Sequence, residues 1–200
     1  MKTLNRDQLI QYMLDNKDNN RGLVIMGEVG VGKTLITNYL TSTKYIKPGR
    51  VNKIFSDIMS KIAGKNMDLI AALINDHYFK NTLYLLDDVG TENNVNNYGI
   101  ILDYVENYID QAYVNYSTRD SNYGKLIMTT NLTPKELETK YGHRAMDRIN
   151  EFCDIIILDD FNIRSSEHLE YTEGLKQRLK DLHDQYFNIP LMRKKQIKTD

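Results

Sequence analysis

Of 200 residues only one, Cys153, is a cysteine. No intramolecular disulfide can form, and no cysteine cluster exists to hold zinc or an iron-sulfur centre, so the chain suits a reducing interior. An excess of charge of one sign is also missing: 26 basic residues face 27 acidic ones, for a net charge of -1. There is no global pull toward nucleic acid, and any DNA contact must come from a local basic patch. Long apolar runs are absent too. The N-terminus, MKTLNRDQLIQY, lacks the apolar core of a signal peptide, and the longest runs, Leu23 to Met26 and Ile155 to Leu158, are far too short to span a bilayer. The reading is a cytoplasmic protein with no membrane partner. His77, His143, His168 and His183 are scattered without metal-ligand spacing, so no metal site is assigned to protein ligands alone.

What is present is a globular composition, 41% hydrophobic and 26% charged, in a chain of one-domain size. A capping box, Asn5 with Gln8, opens a short amphipathic helix over 5–16 that carries Leu9, Tyr12 and Met13. Strand-like runs then alternate with helical stretches. The runs are GLVIMG at 22–27, VNKIFS at 51–56, TLYLLDD at 82–88, KLIMTTN at 125–131 and DIIIL at 154–158. Helices are expected at 32–42, 57–63, 67–78 and roughly 98–118. Strands this apolar belong inside a parallel sheet covered on both faces, with the ligand crevice at their carboxyl ends. A last helix over 165–187 carries Leu169, Leu175, Leu179 and Leu182, and the tail RKKQIK follows. The division expected is a lead-in at 1–20, a core at 21–166, and a C-terminal helix with basic tail at 167–200.

The sharpest motif is Gly27-Glu28-Val29-Gly30-Val31-Gly32-Lys33-Thr34, which fits GxxxxGK[ST] between a strand and a helix. Glycines let successive N–H groups and the helix N-terminus, from Thr34 into Leu35, face phosphates. Lys33 reaches the β and γ phosphates, and Thr34 offers a hydroxyl to magnesium. In LYLLDD, Asp87 suits a Mg2+ ligand held through water, and Asp88 the polarisation of an attacking water. Thr129-Thr130-Asn131 ends the next strand, where a polar side chain can sense a γ-phosphate; the same residues can equally cap a helix starting near Pro134. Arg144 and Arg148 share one helix face, which suits either two guanidiniums offered to a neighbouring subunit or a surface helix salt-bridged through Asp147 and Glu151. Arg164, in the loop before the last helix, is placed to reach a nucleotide in the same subunit.

The ordered set GEVGVGKT, LYLLDDVGTE, LIMTTNLTPKEL, YGHRAMDRINEFCDIIIL and FNIRS resembles the DnaC/DnaI-type helicase loaders and the IstB transposition helper, a branch of AAA+ ATPases, over about residues 20–166. The resemblance implies a three-layer P-loop NTPase of α/β class, an AAA+ core without a large separate lid domain, using ATP and Mg2+. It implies Lys33 and Thr34 as Walker A, Asp87 and Asp88 as Walker B, Asn131 as sensor 1, Arg148 as arginine finger with Arg144 beside it, and Arg164 as sensor 2.

The function so implied is ATP hydrolysis in DNA replication. The partners implied are a replicative DNA helicase, single-stranded DNA, and further copies of this chain in an ATP-dependent oligomer. An IstB-like helper on duplex DNA, or a nucleotide-dependent switch that scarcely hydrolyses, are the alternatives. About twenty residues precede the first strand where such loaders carry an extra domain, as expected of a phage or mobile-element protein. The first or last helix would then grip the partner, and Arg193, Lys194, Lys195 and Lys198 would offer salt-sensitive DNA contact.

Overall fold

The structure, a computed structural model, describes residues 1–41, 49–50, 84–92, 95–97, 100–102, 104–118 and 126–186. The helices expected at 57–63 and 67–78, the strand at 51–56 and the basic tail lie outside them. The described strands are β1 (Lys2–Leu4), β2 (Gly22–Met26), β3 (Gly49–Arg50), β4 (Tyr84–Val89), β5 (Val95–Asn97), β6 (Ile100–Leu102), β7 (Leu126–Thr130) and β8 (Cys153–Leu158). The helices are α1 (Arg6–Asp15), α2 (Lys33–Thr41), α3 (Tyr104–Ser117), α4 (Pro134–Tyr141), α5 (His143–Phe152) and α6 (Leu169–Tyr186).

Six strands form one sheet in the order β1-β8-β2-β7-β4-β3, and every pairing in it is parallel. Alternation along each strand sends neighbours to opposite faces, which explains two cores. Val24, Met26, Leu86 and Met128 pack with Val105, Ile109, Leu137 and Ile149 of α3, α4 and α5. Leu23, Ile25, Leu85, Ile127 and Ile156 pack with Leu9, Ile10, Ile36, Leu175 and Leu179 of α1, α2 and α6 on the other side. The architecture is the expected α/β three-layer arrangement, a parallel sheet with helices on both faces, and the described residues hold no separate lid domain. None of their helices is long and apolar enough to cross a membrane.

Local chemistry sets the boundaries. In α1 the Asn5 side chain accepts the Gln8 N–H at 2.9 Å and the Gln8 side chain accepts the Asn5 N–H at 3.0 Å, the reciprocal box expected. Thr133 and Glu136 repeat that arrangement at α4, with Pro134 in its first turn. Gly142, at φ 86°, ends α4 and lets α5 start at once.

Two features differ from the sequence expectation. Residues 95–97 and 100–102 pair as an antiparallel hairpin, so the helix expected from about 98 starts at Tyr104. The N-terminal residues also contribute a strand: β1 lies parallel to β8, with Thr3 opposite Ile157.

Cys153 is buried at the start of β8, and burial pushes its thiol well above the usual cysteine range. The native protein at pH 8 should therefore leave Ellman's reagent unreacted, and one thiol should react on unfolding in urea. Rapid native labelling would contradict this packing.

Candidate functional site

The crevice lies at the carboxyl ends of β2, β7 and β4. A cavity of about 530 Å³ opens there, lined by Val29, Gly30, Gly32, Lys33, Thr34 and Leu35 of the β2–α2 loop and the start of α2, by Asp88 and Thr91, by Asn131, by Ile163 and Arg164, and by Leu169, Thr172 and Lys176. Segments far apart in sequence thus converge on one volume because their strands are neighbours.

Gly27, Gly30 and Gly32 have φ of 152°, 89° and 102°. At Gly30 the positive φ favours glycine, and a Cβ there would displace the Asn162 side chain, whose Oδ1 would stand 2.2 Å away. Val31 turns the other way and is buried in the core that α1, α2 and α6 cover, while Val29 is exposed at the cavity. The loop is closed by Lys33, whose ammonium donates to Gly27 O at 2.6 Å, Glu28 O at 2.7 Å and Asn131 Oδ1 at 2.7 Å. The motif glycine and glutamate therefore contribute carbonyls. Burial pulls the Lys33 pKa down to about 8; Asp88 and Asp87 oppose that pull and Arg164 adds to it.

The acid pair sits where β4 loses register with β7, between Leu86 and Val89. That irregularity separates the two carboxylates in role. Asp87 is 3% exposed, and its Oδ1 accepts the Thr34 hydroxyl at 2.8 Å and the Thr129 hydroxyl at 2.6 Å. Asp88, at φ 60°, is turned into the cavity. Aspartate is among the few side-chain-bearing residues that tolerate this backbone region. Its amide donates to Thr129 Oγ1 at 3.0 Å, so one hydroxyl orients both acids.

Thr34 and Asp87 place a hydroxyl beside a carboxylate, a hard oxygen donor set that fits magnesium. Among the described residues no group of three or more His, Cys, Asp or Glu forms a separate metal site.

The two helix arginines stand apart from the cavity. Arg148 on α5 is paired with Asp110 of α3 and lies over the Tyr113 ring at 5.1 Å. Arg144 reaches the same carboxylate at 3.7 Å but is 70% exposed. The partner here is Asp110, not the Asp147 or Glu151 that sequence proximity suggests: His143 takes Asp147, and Tyr113 takes Glu151. Arg164, by contrast, lines the cavity, with its amide held by Asn162 Oδ1 at 2.8 Å.

Several residues at the site went unread in the sequence. Glu92, buried just past the acids, accepts the Gly90 N–H at 2.8 Å, the Tyr141 hydroxyl, and an ion pair from Lys140 at 3.1 Å. It thereby ties the loop after Asp88 to α4. Thr172 and Lys176 reach the cavity from α6. Thr129 carries a legible signal, a polar residue inside a wholly buried strand; Glu92 carries none, because the Tyr141 and Lys140 that make it a tie lie 49 and 48 positions away. Thr129→Val should leave a part-buried amide and a buried carboxylate short of a partner and cost about 1–3 kcal/mol, read as a lowered urea midpoint. An unchanged midpoint would contradict the hub role.

No sequence profile of a known family matches this chain, and no curated protein matches it. Among solved structures that do match, one titled "Crystal Structure of the DnaI" is similar at a TM-score of 0.47 and 17% identity, covering 76% of this chain and 81% of that one.

Proposed function

We propose that this chain is an ATPase that binds ATP with magnesium and hydrolyses it within an assembly of like subunits, acting in DNA replication as a DnaC-like loader on single-stranded DNA and a replicative helicase. The observation that carries the catalytic part is convergence on one cavity: the Lys33 ammonium against Gly27, Glu28 and Asn131, the Thr34 hydroxyl on Asp87, and Asp88 and Arg164 lining the same volume.

In this reading the N–H groups from Gly30 to Leu35 hold the polyphosphate and Lys33 neutralises its β and γ oxygens. Thr34 and Asp87 would hold the magnesium, which would supply further neutralisation of phosphate charge. Asp88 accepts hydrogen bonds from the attacking water, Asn131 orients that water, and Arg164 stabilises charge from the same subunit. Arg148 and Arg144 do not line the cavity of their own chain, so their catalytic use requires a neighbour. Arg148 would exchange Asp110 for the neighbour's γ-phosphate, and Arg144 would stand beside it.

Partner contact is assigned to the exposed faces of α1 and α6, because their apolar faces are already in the core. The DNA and helicase parts of the proposal rest on the ordered motifs of the sequence.

Turnover per subunit should rise with protein concentration and with single-stranded DNA. Lys33→Ala should abolish it, and Arg148→Ala should lower kcat by about a thousandfold without weakening nucleotide binding. A rate per subunit that stays flat on dilution contradicts the trans arginine. Stimulation by duplex DNA alone would move the reading to an IstB-like helper, and nucleotide binding without turnover under every condition would make it a switch.

A further inference from the structure

Arg6 opens α1, although a cation in the first turn is opposed by the helix dipole. It is also 1% exposed, a position an arginine holds only when its donors are met. They are met by groups on the segments that also supply the cavity lining, Val31 beside Gly30 and Gly32, Asp160 and Phe161 before Ile163, and Tyr171 beside Thr172. One guanidinium nitrogen donates to Val31 O at 3.0 Å and Phe161 O at 2.8 Å, the other to Asp160 Oδ1 at 2.7 Å, and Nε to the Tyr171 hydroxyl at 3.2 Å. The rings of Phe161 and Tyr171 flank the guanidinium, with centroids 4.1 and 5.1 Å away, and the Arg6 amide donates to Asp160 Oδ2 at 3.0 Å.

The two carbonyls matter more than the burial. A trans peptide is planar, so its C=O and the following N–H point in opposite directions. A donor on Val31 O therefore aims the Gly32 N–H away from Arg6, and Gly32 itself lines the cavity. A cationic donor also polarises that peptide and strengthens the N–H at its other end. The Phe161 carbonyl belongs to the loop that brings Ile163 and Arg164 to the same cavity, and the Ile163 N–H is bonded to Gly30 O at 3.0 Å.

We propose that Arg6 is a positioning residue of the nucleotide site: it holds the glycine loop against the Arg164 loop, so that the N-terminal segment sets nucleotide affinity. The inference rests on the ATP-binding reading above. Lysine in its place keeps the charge but cannot serve two carbonyls, a carboxylate and a hydroxyl from one planar fork.

The test is fluorescence titration of the full chain with a methylanthraniloyl-labelled ADP and magnesium, alongside thermal melts. Arg6→Lys should bind about tenfold more weakly or worse. Asp160→Asn, which removes the carboxylate orienting the guanidinium, should lose about threefold. Tyr12→Phe is the control: its hydroxyl anchors the same helix to Asp154 at 2.7 Å, away from the cavity, so it should lower Tm and leave affinity unchanged. Wild-type affinity in Arg6→Lys, or an equal loss in Tyr12→Phe at an equal loss of Tm, overturns the inference. Should Arg6→Lys fail to fold, unchanged affinity in Asp160→Asn overturns it instead. Wild type and Lys33→Ala titrating alike would remove the nucleotide site itself, a failure distinct from tight binding that ignores Arg6.

Discussion

A carboxylate 3% exposed has to be given hydrogen bonds or it destabilises the fold, and Asp87 is in that position. Its Oδ1 takes hydroxyls from Thr34, at the start of α2, and Thr129, inside β7. Because Thr129 also accepts the Asp88 amide, the demands of one buried acid fix a helix, two strands and the direction of a second acid. Asp88 can hold φ 60° because Thr129 secures the peptide on one side and Thr91 caps the Asp88 carbonyl at 2.7 Å on the other.

The layers around this hub were legible because sheet and helix periods are written in apolar residues. Runs such as GLVIMG and DIIIL admit burial on both faces, and that demands a parallel sheet with helices above and below. The glycine loop was legible because its spacing has a physical reason at every position. One start point was legible where a capping box spelled it, at Asn5; for the helix from Pro134 the sequence offered Thr129 to Asn131 as caps, whereas Thr133 caps it and those residues turn to Asp87, Val89 and Lys33. The helix expected from 98 was misjudged because Val95, Ile100, Ile101 and Leu102 serve a hairpin as readily as a helix, and only pairing decides between them.

Side-chain pairings across long separations were not legible at all. Sequence proximity offered Asp147 and Glu151 to the arginines of α5, whereas the fold brings Asp110 from α3. Glu92 meets Tyr141 and Lys140 only because β4 and α4 are adjacent in space. Arg6 carried one local oddity, a cation at a helix N-terminus, but nothing in its neighbourhood names Val31 or Phe161 as acceptors.

Strand order also has a consequence for the time course of synthesis. The strand that leads into the glycine loop, β2, precedes both its neighbours in the chain: Leu23 faces Ile127 on one side and Asp154 on the other. β1 waits for β8 as well. On the ribosome the glycine loop therefore stands without either wall of its sheet until β7 and β8 emerge, and nascent chains are exposed to aggregation at such a stage. Lys33, Asp87 and Asn131 can come together only when β7, which stands between β2 and β4, has emerged.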